Sequence, residues 1–413
     1  MSPCESEPGT AGPDHAWTVT PMTPEASDEW RVRRALAGII NLRVLQSGPS
    51  GGGAGSGLAV YRATGTLVMG PDEAYPLLEQ RLAPLGYSPY LRRDDTEDVV
   101  MIAPRIVTTP PDSRRPRNLL ILTAISLWIT GIFYDGEPQY LRFGELVTTL
   151  PPRPDPAAWL PLLAAGADVL LSGIPYAACL LAILVAHEAG HWLAAKRVGI
   201  PAGYPYLIPL PLISLGTLGA FMRIFAPPRD RRALLTMAAA GPLAGLAVAI
   251  PVLLVGLLLS SVQPLPTSGV WMQEGNPVLY AISKFVVFGR WLPTDVDDVF
   301  INGIARAGWA GLFLTAFNLM PAGQLDGGHI AYAMLGRRAR WLGWAVIAGL
   351  GLLSFKSETW IAPLVLLLLF GRVYATPMND ASRLRTGEVV FCIAMLVLFA
   401  LLFTPEPMVI RGQ

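Results

Sequence analysis

The sequence has little charge and few cysteines or histidines for its length. Of 413 residues, 15% are charged, and the formal net charge is +1. This balance argues against nucleic-acid binding, because phosphate recognition requires a basic surface. The three cysteines are scattered, so neither a disulfide framework nor a thiolate metal site is expected. With 52% hydrophobic residues and a mean hydropathy of +0.45, the chain is too apolar for one soluble domain.

Two of the four histidines form a His-Glu-x-x-His motif, His187 to His191. On a helix, positions four apart share a face, so both imidazoles can bind one Zn²⁺, with Glu188 beside a water molecule. The motif also occurs by chance in soluble proteins. Here, however, the preceding residues 175–186 carry no charge, and ionisable groups within a membrane are costly and usually functional. The setting therefore predicts a metal site inside a membrane helix.

A catalytic zinc ion needs a third protein ligand and an open position. Asp326 is the best candidate, because Pro321, Gly323 and the pair at 327–328 break the apolar segment that leads into it. Irregular backbone at membrane depth is tolerated where protein or a water-filled cavity satisfies it. Asp326 can therefore point at a metal, or it can simply cap the following helix. The residues alone leave both roles open.

The order of these motifs resembles the site-2 protease family of intramembrane zinc metalloproteases. His187 to His191 is followed about 135 residues later by Asn318-Leu-Met-Pro and then Leu325-Asp326-Gly327. Between them, residues 205–211, 216–223 and 240–245 resemble the subgroup found in plastids, cyanobacteria and other bacteria. The resemblance extends roughly from Arg117 to Phe403. Many members carry a PDZ domain between spans, but this sequence leaves no room for one.

The resemblance implies one zinc ion per chain, held by His187, His191 and Asp326, with Glu188 as the catalytic residue. It implies an endopeptidase that cleaves transmembrane or membrane-proximal segments of protein substrates, a reaction called regulated intramembrane proteolysis. In that mechanism Glu188 takes a proton from a water molecule activated by the zinc ion and delivers it to the leaving amine. His329 can approach the metal, or it can contact lipid headgroups or the residues around the site.

Substrate contacts are predicted in two places. Asn318 can donate a hydrogen bond to the substrate or oxyanion, or it can satisfy backbone freed by the helix break. The segment 216–224 suits an extended edge that pairs with an unwound substrate, although it can also be a loop folded onto the helices. Its candidate residues are Gly216, Thr217, Gly219 and Phe221. The prolines of 205–211 predict a stiff, non-helical re-entrant segment, and the small residues of 238–245 predict close helix packing.

The predicted fold is a polytopic all-α membrane protein of about seven transmembrane helices, with a re-entrant or β segment near the active site and a small soluble α+β domain at the N-terminus. Its domains are a disordered tail at 1–27, the soluble domain at 28–108, a linker at 109–117, the intramembrane metalloprotease domain at 118–404 and a tail at 405–413. Pairing of βαββ type is expected in the soluble domain, where residues 30–45 fit helical and strand spacing equally well.

The membrane spans follow from apolar runs of about 20 residues. They are Asn118–Tyr134, Pro175–Ala195, Ala233–Ser260, Gly303–Met320, Trp341–Phe355, Thr359–Phe370 and Glu388–Phe403. Residues 157–173 and 278–289 are also apolar and are interpreted as interfacial or re-entrant. Lys and Arg cluster in alternate loops, which places the N-terminal domain and the active site toward the cytoplasm.

Two other functions fit parts of the sequence. A metal-ion or small-molecule transporter can also use His and Asp within the membrane, but no inverted repeat is visible. A catalytically silent scaffold is the second alternative, against which the intact motif counts. The acidic N-terminus does not resemble a cleavable signal peptide or a transit peptide. A bacterial plasma membrane is therefore the expected location, and the sequence does not specify the oligomeric state.

Overall fold

The computed structural model describes residues 24–48, 59–94, 97–105, 113–135, 137–149, 156–211, 215–269, 271–371 and 374–411. They divide into two compact units. The first contains the described residues up to 89 together with 94–105, and the second contains 90–93 and the described residues from 113 onward. Most of the predicted tail 1–27 and part of the predicted linker 109–117 lie outside the described residues.

The first unit is a small α+β fold. Its elements are α1 (Pro24–Leu36), β1 (Ile40–Gly48), β2 (Val60–Leu67), α2 (Pro71–Leu82), β3 (Tyr87–Asp94) and β4 (Glu97–Pro104). The strands form one sheet in the order β1-β2-β4-β3, so β2, α2, β3 and β4 make the expected βαββ arrangement. The ambiguous stretch 30–45 contains the end of α1 and the start of β1. Its mixed periodicity therefore reflects two elements.

The second unit is mostly helical. Its elements are α3 (Arg114–Asp135), α4 (Glu137–Thr148), α5 (Pro156–Ser172), α6 (Ile174–Arg197), β5 (Ala202–Pro209), β6 (Thr217–Ile224), α7 (Arg231–Leu258), β7 (Ser261–Pro264), β8 (Trp271–Glu274), α8 (Val278–Phe288), β9 (Asp297–Phe300), α9 (Gly303–Asn318), α10 (Asp326–Leu335), α11 (Ala339–Ser354), α12 (Ile361–Phe370), α13 (Thr386–Leu402) and β10 (Met408–Arg411). Helix α3 begins inside the predicted linker. The predicted C-terminal tail contains β10, which pairs with β8.

Within the described ranges, three helical stretches are long and apolar enough to cross a membrane. They are Arg114–Asp135, Trp159–Arg197 and Arg231–Leu258. Each of the seven segments predicted to span lies mainly in a helix, and five of them extend one or two residues beyond it. Helices α9, α11, α12 and α13 have only 16, 16, 10 and 17 residues. A perpendicular span needs about 20, so the number seven stays a prediction. The interfacial interpretations of 157–173, which forms α5, and 278–289, which forms α8, also stay predictions.

Helices α6, α7 and α9 form the central part of the second unit. Their buried residues belong to one hydrophobic cluster that includes Leu180, Ile183, Ala249 and Leu312. Small residues make this packing possible, because a side chain at Gly311 of α9 would press against Ile183 and Ala249. Close approach of helices through glycine and alanine is typical of membrane bundles. The arrangement brings the inner faces of the three helices together around the His-Glu-x-x-His motif.

Strands β5 and β6 form an antiparallel hairpin beside these helices. The predicted stiff segment at 205–211 is thus mainly a strand, and the predicted extended segment at 216–224 is its partner. The register shifts by one residue at Leu218, since Ile208 pairs with Gly219 and Pro209 pairs with Thr217. Such a β-bulge bends a strand and redirects its side chains. Gly219 adopts a φ of 103° there, a conformation that favours glycine.

Candidate metal and catalytic site

Three side chains converge at one point in the second unit. His187 Nε2 and His191 Nε2 lie 3.1 Å apart, and each lies 3.4 Å from Asp326 Oδ2. A tetrahedral zinc ion with bonds of about 2.0–2.2 Å holds its ligand atoms roughly 3.3–3.6 Å apart. Two sides of the triangle fall in this range and the third is slightly shorter, so the three atoms lie at nearly the spacing of ligands to one zinc ion. No other group of three or more His, Cys, Asp or Glu side chains among the described residues has this property.

The charge of this group also suits a buried zinc ion. Bound to zinc, two neutral imidazoles and the Asp326 carboxylate would contribute a single negative charge, and an ionised Glu188 would add a second. Together they balance the two positive charges of Zn²⁺. A neutral assembly matters here because an uncompensated charge is strongly unfavourable in a low-dielectric interior. The donor set of two nitrogens and one oxygen is one that zinc accepts. The residues present therefore fit the metal.

The outer nitrogen of His191 is held by the neighbouring helix. His191 Nδ1 lies 2.8 Å from the backbone carbonyl oxygen of Met237 in α7. A donor N–H at this position leaves Nε2 unprotonated and directed at the other two ligands. Metal-binding histidines usually have such an outer partner, which fixes the tautomer and the ring orientation. Helix α7 thus orients a candidate ligand although it supplies none.

The close approach of α6 and α7 depends on glycines next to the two histidines. A Cβ atom at Gly190 would overlap the carbonyl oxygen of Ala240, and one at Gly241 would overlap His191 Nε2. At Gly245, a Cβ atom would lie 3.3 Å from the Cβ and Nδ1 atoms of His187. The small-residue stretch at 238–245 therefore packs directly against both histidines, as its composition predicts.

Asp326 reaches the histidines because the chain breaks between α9 and α10. Helix α9 ends at Asn318 and α10 begins at Asp326, with the turn between them folded over the start of α10. Side chains at Gly327 and Gly328 would overlap backbone carbonyl oxygens of that turn. Leu325, rather than Asp326, occupies the N-cap position of α10, and no side chain caps this end. The geometry thus favours the ligand role over the capping role that the sequence left open.

Glu188 faces a small cavity beside the ligands. It is only 4% exposed, and its Oε2 atom has no hydrogen-bond partner among the described residues. The cavity is lined by α6, by β6 through Gly219 and Ala220, and by α9 through residues that include Asn318. A buried carboxylate oxygen without a partner is costly, and it is explained if a water molecule or substrate group binds there.

The predicted substrate contacts divide into two groups. Asn318 and Gly219 line the cavity, and Asn318 Nδ2 lies 3.4 Å from His187 Nε2. Gly216, Thr217 and Phe221 are not among its lining residues. The carbonyl of Gly216 accepts a hydrogen bond from Ser126 in α3. Thr217 is buried, and its Oγ1 donates to the carbonyl of Ile208 and accepts from the N–H of Gly219 within the hairpin. The ring of Phe221, by contrast, is exposed and stacks on the ring of Tyr206 in β5.

His329 is not part of the group formed by His187, His191 and Asp326. It lies on the first turn of α10, and its buried Nδ1 has no hydrogen-bond partner among the described residues. Sequence reasoning also missed two contributors to the site. Met237 acts through a backbone carbonyl, which leaves no signal in the sequence. Ala220 lines the cavity through its place in the hairpin, which only the strand register reveals.

Comparison with known proteins agrees with this geometry. Residues 175–346 match the model of peptidase family M50. The chain is 32% identical over 253 residues to a protein of Arabidopsis thaliana named "Probable zinc metalloprotease EGY2, chloroplastic", covering 60% of this chain and 44% of that protein. It is 30% identical over 297 residues to "Probable zinc metalloprotease EGY1, chloroplastic" of Oryza sativa subsp. japonica, covering 70% of this chain and 49% of that protein.

The chain therefore spans about half the length of these curated relatives. No solved structure matches it. The matched family segment contains His187, Glu188, His191 and Asp326, and it begins and ends in helices of the second unit. The family predicted from the ordered motifs is thus confirmed. Residues 175–346 match peptidase family M50, the site-2 protease family, and the two zinc metalloproteases named above support that assignment for this segment.

Proposed function

We propose that this chain is a membrane-embedded zinc endopeptidase that hydrolyses peptide bonds in transmembrane or membrane-proximal segments of other proteins. The observation that carries the proposal is the convergence of His187, His191 and Asp326, with Glu188 facing a cavity beside them. His187, Glu188 and His191 lie on α6, which belongs to a stretch apolar and long enough to cross a membrane, and the neighbouring helix α7 is a second such stretch. The names of the relatives support both the metal and the reaction.

The residues divide the chemistry between them. His187, His191 and Asp326 would hold the zinc ion, which when bound polarises the scissile carbonyl and activates water for attack. Glu188 accepts the proton of the attacking water and then donates it to the leaving amine. Its burial keeps the transferred proton away from solvent. Asn318 borders the same cavity and can donate a hydrogen bond to the substrate carbonyl as negative charge develops there.

Strand β6 is proposed to hold the unwound substrate. A helical peptide bond is shielded, so the substrate must become extended before hydrolysis, and an extended segment can pair with a free strand edge. Among the described residues, β6 pairs only with β5. Proline cannot donate to a ladder and is confined to positions where no donor is needed. Pro205 pairs with Met222, and it has no N–H to donate there. In an antiparallel ladder, pairs that exchange hydrogen bonds alternate with pairs that do not. The N–H and C=O groups of Met222, and of Ala220 two residues before it, therefore point away from β5.

We therefore expect Ala220→Pro to slow substrate cleavage roughly three- to tenfold, because one backbone donor at the cavity is lost and a net hydrogen bond contributes about 0.5–1.5 kcal/mol. Zinc content should not change. The measurement is the cleavage rate of a transmembrane model substrate in detergent, with metal analysis of the same samples. Ala220→Ser is the matched control, since it keeps the N–H and nearly the same volume. Equal rates for the two variants would remove β6 from the substrate site.

The seven-span topology is also proposed, with the N-terminal domain and the active site toward the cytoplasm. Support comes from the basic residues that follow α6 and α10. Single cysteines introduced at Arg197 and Asp295 should be labelled from opposite sides of a sealed vesicle. Labelling of both from the same side would contradict this orientation. A bacterial plasma membrane remains a prediction to be checked by fractionation of the source cells, and the relatives named above are chloroplastic.

The function is tested by removing and restoring the metal. Purified protein should cleave a transmembrane substrate, lose cleavage when a chelator strips the zinc, and recover it when about one equivalent is returned. Cleavage that survives complete loss of zinc would contradict the proposal. The comparisons do not support the transporter alternative. Zinc-containing protein that never cleaves, but moves an ion or solute across vesicle membranes, would nevertheless establish it.

A further inference from the structure

Asp380 joins two helices of the second unit through its two carboxylate oxygens. It lies between α12 and α13 and is 8% exposed. Its Oδ1 atom accepts a hydrogen bond from Arg231 Nε at 3.1 Å, and its Oδ2 atom accepts one from the hydroxyl of Tyr332 at 2.9 Å. Arg231 begins α7, whereas Tyr332 lies in α10. One buried carboxylate therefore bridges the two helices.

The chain around Asp380 is itself fixed to the start of α7. The N–H groups of Met378 and Asn379 donate to the carbonyl oxygens of Pro228 and Arg229, both at 2.8 Å. The hydroxyl of Ser382 donates to the carbonyl of Asn379 at 3.0 Å. These bonds hold the backbone that carries the carboxylate, so Asp380 is not free to follow α10 if that helix shifts.

Arg231 also contacts the end of α10 directly. A Cβ atom added at Gly336, the C-cap residue of α10, would crowd the guanidinium group of Arg231. Gly336 has a φ of 58°, which glycine adopts readily. The guanidinium group thus occupies the space that a side chain at the end of α10 would fill. Arg231, Asp380 and Tyr332 form a contiguous contact between the two helices, which we call the α7–α10 brace.

Both braced helices hold the metal site. Met237, whose carbonyl orients His191, lies six residues after Arg231 in α7. Asp326 lies six residues before Tyr332 in α10. Six residues of helix span about 9 Å, or roughly one and two-thirds turns, so the brace lies that far from Met237 on α7 and from Asp326 on α10. A change in the separation of the helices at the brace would pass along both rigid segments to His191 and Asp326.

We propose that Asp380 is a positioning residue for the metal site: it fixes α10 against α7 so that Asp326 meets His187 and His191. It contacts neither the ligands nor the cavity, and it acts through Arg231 and Tyr332. The proposal rests on the zinc site proposed above. It assigns to the chain between α12 and α13 a role in metal affinity, which the ligand motifs do not reveal.

The test measures metal binding rather than cleavage. Wild type, Asp380→Ala and Tyr332→Phe are compared for zinc affinity, by competition with a chelator, and for the visible absorption bands of bound Co²⁺, whose intensity depends on coordination geometry. Loss of a group that hydrogen-bonds to a metal ligand typically weakens binding 10–100-fold, and Asp380 acts one step further from the ligands, so the lower end of this range applies. We expect about tenfold weaker zinc binding and altered Co²⁺ bands for Asp380→Ala, and a smaller change in the same direction for Tyr332→Phe, which removes one hydroxyl.

Glu388→Ala is the matched control. Glu388 accepts from Arg232 of α7 at 3.2 Å, but it lies on α13, which carries no ligand. Its loss should lower thermal stability and leave the Co²⁺ bands unchanged. Folded Asp380→Ala and Tyr332→Phe proteins with wild-type zinc affinity and Co²⁺ bands would overturn the brace and leave the proposed function standing. Equal changes in zinc affinity and Co²⁺ bands in Glu388→Ala would also overturn the brace. A wild-type protein that binds no metal would overturn both the brace and the proposed function.

Discussion

Replacement of Glu188 by Gln is expected to lower the cleavage rate by about 10²–10⁴-fold, the usual contribution of a general acid–base group, while zinc remains bound. Glutamine has nearly the same shape, so the packing of α6 against α7 and α9 is kept. It cannot accept the proton of the attacking water. The carboxylate is buried beside the cavity, where no other described acid faces the same space. The measurement is the cleavage rate of a transmembrane substrate together with zinc content.

A matched control for this change is Glu274→Gln. Glu274 also accepts a hydrogen bond in a partly buried setting, from the hydroxyl of Tyr280 at 2.9 Å, but it lies in β8 and outside the metal site. Its replacement should leave both zinc and cleavage near wild-type values. Glu188→Gln protein that still cleaves at the wild-type rate would assign proton transfer to another group. Loss of zinc in that variant would instead give Glu188 a role in metal binding.

Replacement of Gly241 by Ala is expected to weaken zinc binding roughly 10–100-fold, although residue 241 is not a ligand. The added methyl group would overlap His191 Nε2, the atom that points at the other two ligands. Overpacking of this kind costs about 1–3 kcal/mol, and each 1.4 kcal/mol corresponds to a factor of ten in affinity. The imidazole must move or α7 must retreat, and either change disturbs the triangle. Zinc affinity is measured by chelator competition.

The control lies on the same helix. A Cβ atom at Gly256 of α7 would overlap the backbone of Ala305 in α9, so Gly256→Ala is crowded to a similar degree but far along the helix from the ligands. It should lower thermal stability and leave zinc affinity unchanged. Zinc affinity reduced equally in both variants would mean that general loosening of the helices, rather than contact with His191, is responsible.

The motif His187 to His191 could be read from sequence because a helix converts a spacing of four residues into one shared face. Asp326 could be proposed but not assigned, since a carboxylate at a helix start can either cap the helix or bind a metal. The structure favours the ligand role through the turn between α9 and α10, whose compactness depends on Gly327 and Gly328. The sequence shows both glycines, but only the fold shows which carbonyl oxygens they approach.

Other parts of the site had no readable signal. Every residue has a backbone carbonyl, and only the packing of α7 on α6 places that of Met237 beside His191. Pro205 and Pro209 predicted a stiff non-helical segment, but not that this segment is a strand. They lie in β5, opposite β6, at positions where no backbone N–H is needed for the ladder. Asp380 is distant in sequence from both helices that it joins. Long-range pairings of this kind depend on the whole fold, and local patterns do not encode them.

The central claim is that His187, His191 and Asp326 hold one zinc ion. The most direct test is the zinc content of purified wild type, Asp326→Ala and His329→Ala, measured alongside thermal stability so that unfolding is recognised. We predict about one zinc per chain in wild type and in His329→Ala, and almost none in Asp326→Ala. Full zinc content in Asp326→Ala with loss in His329→Ala would contradict the assignment and make His329 the third ligand.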